Sequence, residues 1–194
     1  YGTVVSENDI ESENWNATWE AESFNPVEVE LADGRQMMIR APHHPTPADN
    51  IIDIIVSPQM SFGSGHHHTT RMMCRNIATI TPLGRTLDVG CGTGVLSIAA
   101  LKLGAEYVDA VDIDPWSTKS AEEAAQLNKV SDKMEILLGT VEAVEGRSYN
   151  TILANINRNI ILQDIDRYVA ALESGGYLIL SGFLRQDVEA ILTE

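Results

Sequence analysis

Three glycines at alternate positions stand near the middle of the chain, in the run Leu87-Asp88-Val89-Gly90-Cys91-Gly92-Thr93-Gly94. An apolar run, a glycine-rich turn and a second apolar run are typical of a buried strand that leads into a helix. Glycine lets the backbone turn sharply and approach a ligand without a Cβ clash. The N–H groups at the start of the helix favour electronegative ligand atoms. This segment therefore predicts a cofactor site, against the alternative of a tight turn that binds nothing.

The glycine spacing separates two classes of cofactor. A dinucleotide fingerprint reads Gly-x-Gly-x-x-Gly, which would need a glycine where this chain has Val95. The order Asp-x-Gly-x-Gly-x-Gly is instead the pattern associated with S-adenosylmethionine. We therefore expect S-adenosylmethionine as the cofactor, with Asp88, Gly90 and Gly92 contributing to its site.

A carboxylate, Asp112, ends the next predicted strand, 22 residues after Gly90. A carboxylate at this position can accept hydrogen bonds from both ribose hydroxyls of a nucleoside. NAD sites use the same device, so Asp112 indicates a ribose without identifying the cofactor. Asp114 precedes a proline, and this pair predicts a helix N-cap followed by proline at the first helical position.

An asparagine, Asn155, follows the fourth strand of the alternating region. In a doubly wound sheet the first and fourth strands are neighbours where the strand order reverses, which would place Asn155 opposite Gly90. Its carbonyl could hold an amine hydrogen and so direct the lone pair of a methyl acceptor, and we expect it to be the catalytic residue. The alternative is a turn asparagine, which is the better interpretation of Asn157 and Asn159.

A second glycine-rich loop, residues 62–70, precedes a predicted helix. Either Thr69 or Thr70 is expected to cap that helix, and the Thr70 hydroxyl could bind the carboxylate of the cofactor's methionine part. The histidines at positions 66–68 suggest a metal, but consecutive side chains diverge and no suitably spaced Cys or carboxylate completes a site. We expect no metal.

The order of elements predicts an α/β fold with a Rossmann-like, doubly wound and mostly parallel sheet. Residues 1–50 are expected to form a linker and hairpin segment, and residues 51–194 a methyltransferase domain that lacks its last two strands. Strands alternate with helices along the second part. The predicted strands are Val27–Leu31, Met37–Arg40, Ile51–Val56, Thr86–Val89, Tyr107–Val111, Met134–Leu138, Thr151–Ala154 and Tyr177–Ser181; the predicted helices include Val95–Leu103, Trp116–Leu127, Ile160–Leu172 and Val188–Leu192.

Composition excludes several classes of function. Thirteen basic and 28 acidic residues give a net charge of 13 − 28 = −15, which disfavours direct nucleic-acid binding. The charge could favour a basic protein partner, but a solvated acidic surface with no bearing on partners is the more ordinary interpretation. No segment is apolar enough to span a membrane, and no signal peptide is evident. Two cysteines do not make a disulfide framework, so a cytoplasmic protein is expected. The oligomeric state is not predicted.

Taken together, these motifs resemble the ribosomal protein L11 methyltransferase family. The likeness extends from about Trp15 to the end of the chain. It rests on the loop at 62–70, the glycine motif, Asp112-Ile113-Asp114, Ala154-Asn155-Ile156 and Leu180-Ser181-Gly182-Phe183. It implies methyl transfer from S-adenosylmethionine to amino groups of ribosomal protein L11, lysine side chains or the N-terminus. It also implies cofactor contacts at Thr70, Gly90, Asp112 and Asn155, and Phe62 of the loop is expected to join them.

The chain departs from this pattern in several places. Before Trp15 it has at most a remnant of the family's substrate-recognition domain. Thr140 stands where many methyltransferases carry an acid that reads the adenine amine, and the Asn155 segment lacks a Pro-Pro-aromatic sequence.

We expect direct in-line transfer, in which the protein positions the reactants and water takes the acceptor's proton. Three alternatives stay open: a methyltransferase of the same fold that acts on another protein or a small-molecule amine, a nicotinamide-dependent oxidoreductase, and a cofactor-binding module without catalysis.

Overall fold

Residues 25–57 and 68–192 are described by a computed structural model. The Trp15–Trp19 segment and the loop at 62–67 lie outside these residues, so the predictions for them stay predictions. The strands of the described part are β1 (Val27–Glu30), β2 (Gln36–Arg40), β3 (Ile51–Ile55), β4 (Arg85–Val89), β5 (Tyr107–Asp112), β6 (Met134–Leu138), β7 (Tyr149–Asn155) and β8 (Leu172–Ser181). Its α-helices are α1 (His68–Ile77), α2 (Val95–Lys102), α3 (Pro115–Leu127), α4 (Arg158–Ala171) and α5 (Val188–Leu192).

The larger sheet has five parallel strands in the order β6-β5-β4-β7-β8. This confirms the predicted doubly wound α/β fold. β4 and β7 are adjacent, with Asp88 opposite Leu153 and Val89 opposite Ala154. Because parallel strands end at the same edge, the glycine loop after β4 and Asn155 at the end of β7 lie side by side.

Side-chain alternation along these strands divides the core into two layers. Leu87, Val89 and Ile152 pack with α4 and α5 on one face of the sheet. Ala110 and Leu153 pack with α1, α2 and α3 on the other. Because successive side chains of a strand point to opposite faces, each central strand is apolar on both sides, as a sheet covered by helices on both faces requires.

A smaller sheet packs onto the α1–α3 side. β1 and β2 form the predicted antiparallel hairpin, and β3 pairs with β2 in parallel. The connection between β1 and β2 is longer than a two-residue turn: Gly34 N–H donates to Leu31 O (3.0 Å), so Gly34 is the fourth residue of a turn that begins at Leu31, and it takes a positive φ of 86°. This is the longer hairpin loop in which a glycine with positive φ completes the turn. The boundary at residue 50 stays a prediction; β3, on its C-terminal side, belongs to this smaller sheet.

One asparagine joins the smaller sheet to the larger domain. Asn128, at the end of α3, accepts from Ile55 N–H through Oδ1 (3.0 Å) and donates from Nδ2 to Ile55 O (2.7 Å). Nδ2 also donates to Ala124 O (2.8 Å), and the side chain is buried. The amide therefore pairs with the edge of β3 as a neighbouring peptide group would.

The last predicted strand is longer than the sequence indicated. α4 ends at Ala171 and β8 begins at Leu172, with no intervening loop. Tyr149 pairs with Leu172 but Thr151 pairs with Tyr177, so residues 173–176 form an irregularity in the ladder. Two glycines, Gly175 and Gly176, lie in this bulge, and because bulges and loops favour glycine alike, the sequence alone does not distinguish the two.

No helix within residues 25–57 and 68–192 is long and apolar enough to cross a membrane.

Replacing Asn128 by alanine is expected to lower the free energy of unfolding by about 1–3 kcal/mol. The substitution removes three hydrogen bonds and leaves the N–H and C=O groups of Ile55 without these partners. Urea unfolding measures the change. Asn76→Ala, at an exposed position of α1, is the control and should change stability by less than about 0.5 kcal/mol. Equal stability of the two variants would show that the amide does not hold β3.

Candidate cofactor and active site

A cleft of about 630 Å³ opens at the carboxyl edge of the large sheet. Its walls come from the ends of β4, β5 and β7, from the segment after β6, and from α4. Residues from all of these segments line it, among them Gly90, Gly92, Asp112, Thr140, Asn155 and Asp164. Four residues of the predicted site (Gly90, Gly92, Asp112 and Asn155) therefore share one cavity.

The glycine loop is fixed by hydrogen bonds to the end of β5. Gly90 N–H and Cys91 N–H both donate to Val111 O, at 2.8 and 3.0 Å. Gly90 has a φ of +69°, and a Cβ there would clash with the Ile156 side chain. Gly94, with a φ of +77°, lies so close to α3 that a Cβ would be 3.2 Å from Ala121 Cβ. The glycines are therefore needed both for backbone conformation and for packing.

Helix α2 begins directly after this loop without a side-chain cap. Gly94 is the N-cap residue, and it has no side chain that could accept a hydrogen bond from the first N–H groups of the helix. This N-terminus adjoins Gly90 and Gly92, which line the cleft. The arrangement suits an electronegative ligand atom.

Asp112 lies half-buried on the wall of the cleft. Its Oδ2 accepts from Gly92 N–H (2.9 Å) and its Oδ1 from Asp114 N–H (3.0 Å). These two bonds fix the plane of the carboxylate. Because each carboxylate oxygen accepts more than one hydrogen bond, both retain capacity for a ligand hydroxyl.

Asp114 has the structural role that the sequence predicted for it, whereas Asn157 is a helix cap and Asn159 lies in the first turn of α4, where turn asparagines were expected. Asp114 accepts from Trp116 N–H (3.1 Å) and Ser117 N–H (3.2 Å), which confirms it as the N-cap of α3. Asn157 likewise caps α4 by accepting from the N–H groups of Asn159 and Ile160. These caps start both helices at the edge of the cleft.

Asn155 ends β7 and pairs in register with Ser181 of β8. Its side chain lines the cleft beside Gly90. Its buried Oδ1 accepts no hydrogen bond from the described residues. A buried carbonyl without a partner is costly, and at a ligand site it marks a position where a ligand donor can bind.

Asp88 lies beneath the loop and does not line the cleft. It is buried on the face of the sheet that α2 covers, where Ser97 Oγ donates to Oδ2 at 2.6 Å. Its Oδ1 has no hydrogen-bond partner among the described residues. Burial raises the pKa of Asp88 to about 6, because the hydrogen bond from Ser97 only partly offsets the loss of hydration.

The start of α1 is placed differently from the sequence expectation. The helix begins at His68, so Thr69 and Thr70 occupy its first turn and the expected N-cap at either position was wrong. Thr69 lines the cleft, whereas Thr70 is buried and its Oγ1 has no partner among the described residues. Contact between Thr70 and a cofactor stays a prediction, as does the role of Phe62.

Metal binding is not indicated by the described part of the chain. No three His, Cys, Asp or Glu side chains within it are grouped so that they could hold an ion. His66 and His67 lie outside that part, so the expectation of no metal stays a prediction.

Sequence reasoning missed the wall that α4 contributes to the cleft. Asn157, Ile160 and Asp164 line the cavity at spacings of three and four residues, as positions on one face of a helix do. The spacing could be seen in the sequence. Asp164 was not identified, because the helix was predicted from its apolar residues and its polar residues were not considered for the site.

Asp88→Asn is expected to stabilise the protein at pH 8 by about 2–3 kcal/mol, from a pKa shift of about two units at 1.36 kcal/mol each. The folded protein binds this proton more tightly than the unfolded chain. The free-energy penalty of burying the ionised Asp88 carboxylate is therefore absent below a pH of about 4. The penalty grows up to about pH 6 and is constant above that pH.

Urea unfolding of both proteins from pH 4 to pH 8 measures the difference. Asp109→Asn is the matched contrast, because Asp109 is also buried but is paired with Tyr149 Oη (2.6 Å) and Arg85 Nη2 (2.8 Å). Burial alone would raise the pKa of Asp109, but these partners hold that pKa below its usual value. Asp109→Asn should destabilise the protein at pH 8. An Asp88→Asn variant less stable than the parent at pH 8 would contradict this account.

Comparison with known proteins agrees with this geometry. The family described as Ribosomal protein L11 methyltransferase (PrmA) matches residues 2–194. A ribosomal protein L11 methyltransferase of Porphyromonas gingivalis is 44% identical over 183 residues, which are 93% of this chain and 61% of the relative. One from Bacteroides fragilis is 36% identical over 188 residues, 96% of this chain and 65% of the relative.

A solved structure shows the same likeness in three dimensions. The crystal structure of ribosomal protein L11 methylase from Lactobacillus delbrueckii subsp. bulgaricus superimposes with a TM-score of 0.73 at 29% identity, covering 81% of each chain. The chain spans about three fifths of the length of the relatives it matches in sequence. On these matches, and on the cleft that its motifs form, the chain belongs to the ribosomal protein L11 methyltransferase family.

Proposed function

We propose that this chain transfers methyl groups from S-adenosylmethionine to amino groups of ribosomal protein L11. The observation that carries the proposal is the shared cleft of Gly90, Asp112 and Asn155 in a chain of this family. A nicotinamide cofactor fits less well, because Val95 occupies the position of the third dinucleotide glycine. The acidic chain, with a net charge of −15, suits a basic protein substrate, and such a substrate would be met in the cytoplasm.

The residues of the cleft fit S-adenosylmethionine. Asp112 has the geometry to accept from the ribose hydroxyls, with its carboxylate held by Gly92 N–H and Asp114 N–H. A Cβ at Gly90 would clash with the Ile156 side chain, so glycine lets the loop lie against Ile156 where both line the cleft. The uncapped start of α2 and the first turn of α1, with Thr69 and Thr70, would hold the methionine part.

Catalysis in this site depends on positioning. The cofactor supplies an electrophilic methyl group on a positively charged sulfonium. Asn155 would accept a hydrogen bond from the acceptor amine through the otherwise unpartnered Oδ1, which aims the nitrogen lone pair at the methyl carbon. A lysine acceptor must first lose a proton, since its usual pKa is about 10.4. An amide cannot take that proton, and we propose that water does.

The direct test is label transfer. The purified protein is incubated with methyl-labelled S-adenosylmethionine and purified ribosomal protein L11, and the labelled residues are identified by mass spectrometry. Label on amino nitrogens of L11 supports the proposal. A reaction with an L11 whose amines have been acetylated is the control. Cofactor binding without any label on L11 would favour a different amine as substrate.

Asp112→Ala is expected to weaken cofactor binding at least ~10-fold, because hydrogen bonds to a charged group contribute about 1.5–3 kcal/mol each. Calorimetric titration with S-adenosylhomocysteine measures the affinity. Asp166→Ala, an exposed position on α4, is the control and should bind as the parent does. Equal affinity of Asp112→Ala and the parent would remove Asp112 from the site.

Asn155→Ala is expected to lower kcat more than it weakens cofactor binding, because the side chain would act on the acceptor as well as on the cofactor. Single-turnover rates on L11 are compared with calorimetric affinities for the same variant. Asn159→Ala, an exposed position four residues further along, controls for loss of an amide. Equal fractional losses in rate and affinity would leave Asn155 with a binding role only.

A further inference from the structure

One carboxylate in the wall of the cleft has no part in the mechanism above. Asp164 lies in the middle of α4, and its side chain is only 5% exposed. It lines the same cavity as Asp112 and Asn155. Carboxylates are rarely buried to this extent unless they are paired or serve a ligand, so this position needs an explanation.

The described residues compensate the buried negative charge of Asp164 only in part. They donate no hydrogen bond to it, and the cation nearest to it is Arg167, whose Nη1 lies 3.6 Å from Oδ1. That same nitrogen makes its shorter contact, 2.7 Å, with Glu142 Oε1. The charge of Asp164 and, above all, burial raise the pKa of Tyr168, one turn further along. Asp164 therefore has acceptor capacity within the cavity.

Two contacts locate Asp164 at the nucleoside end of the cleft. Arg167 bridges Asp164 and Glu142, which puts α4 against the segment that follows β6. Gly139 N–H, at the start of that segment, donates to Asp112 O at 2.8 Å. The segment thus adjoins the residue proposed to hold the ribose, and the base attached to that ribose would reach the space between it and α4.

Other side-chain oxygens near that space already accept hydrogen bonds from the protein. Thr140 Oγ1 accepts from Glu142 N–H (3.3 Å) as the cap of a short 3-10 helix. Asp114 accepts from the first turn of α3. An adenine presents an exocyclic amine, which is a donor and needs an acceptor when it is buried. Of the three carboxylates that line the cleft, Asp112, Asp114 and Asp164, only Asp164 receives no hydrogen bond from the described residues.

Resting on the proposed function, we infer that Asp164 is the specificity-determining residue for the base, and that its carboxylate accepts a hydrogen bond from the exocyclic amine of adenine. A base with a 6-oxo group would present an acceptor to the same carboxylate. Two acceptors facing each other in a buried site leave both unpaired, so such a base is rejected strongly. Asp164 would therefore distinguish an adenosyl from an inosyl ligand.

The test compares S-adenosylhomocysteine with its 6-oxo analogue, S-inosylhomocysteine, by calorimetric titration. The parent protein should bind the adenosyl compound roughly 10- to 100-fold more tightly. Asp164→Asn should reduce this preference at least ~10-fold, because an amide can donate to the 6-oxo group as well as accept from the amine. Asp166→Asn makes the same charge change at an exposed position of the same helix and should keep the parent's preference.

The outcomes separate the two proposals. A parent protein that binds neither compound overturns the proposed function. Binding of both compounds with equal affinity by the parent overturns the role of Asp164, and this readout requires no variant to fold. An unchanged preference in Asp164→Asn, with a lower methyl-transfer rate, would place the carboxylate at the acceptor amine and would also overturn the inference.

Discussion

The cleft depends on the hydrogen bonds that tie the glycine loop to the end of β5. Val111 O accepts from two successive N–H groups of the loop, and Asp112 Oδ2 accepts from a third. The main chain of β5 in turn receives Gly139 N–H from the segment after β6. The ends of β4, β5 and β6 are thereby held in fixed positions relative to one another. A ligand across this edge meets groups whose positions were fixed by folding, which reduces the ordering cost of binding.

The fold was predictable because its signals are local and repeated. Apolar strands alternate with helical periods from Arg85 to Ser181, and the glycine turn marks the order of β4 and α2. The position of Asn155 next to Gly90 followed from topology alone, since β4 and β7 must be neighbours. Capping by Asp114 followed from its residue type and from the proline that comes next. In these cases the residue and its partner are close in sequence or are related by a rule of parallel sheets.

The parts that could not be predicted depend on contacts between distant segments. Nothing local shows that Asn128 bonds to Ile55, 73 residues away, or that α4 forms a wall of the cleft. Residue type alone also could not separate Asp88, which is buried under the loop, from Asp112, which faces the cleft. Both belong to strands and lie on the same face of the sheet, but Asp88 is covered by α2, where Ser97 donates to it, whereas Asp112 is the last residue of β5 and reaches the edge of the sheet.

The amide of Asn128 has a consequence for solubility as well as for stability. β3 is the outer strand of the smaller sheet, and the outer strand of any sheet is a template for pairing with another chain. At Ile55 the donor and the acceptor that such a chain would use are both occupied by one side chain. A single buried asparagine thus occupies one outward-facing position of this edge without a further strand, and it hinders intermolecular pairing at Ile55, a role that charge or proline has in other sheets.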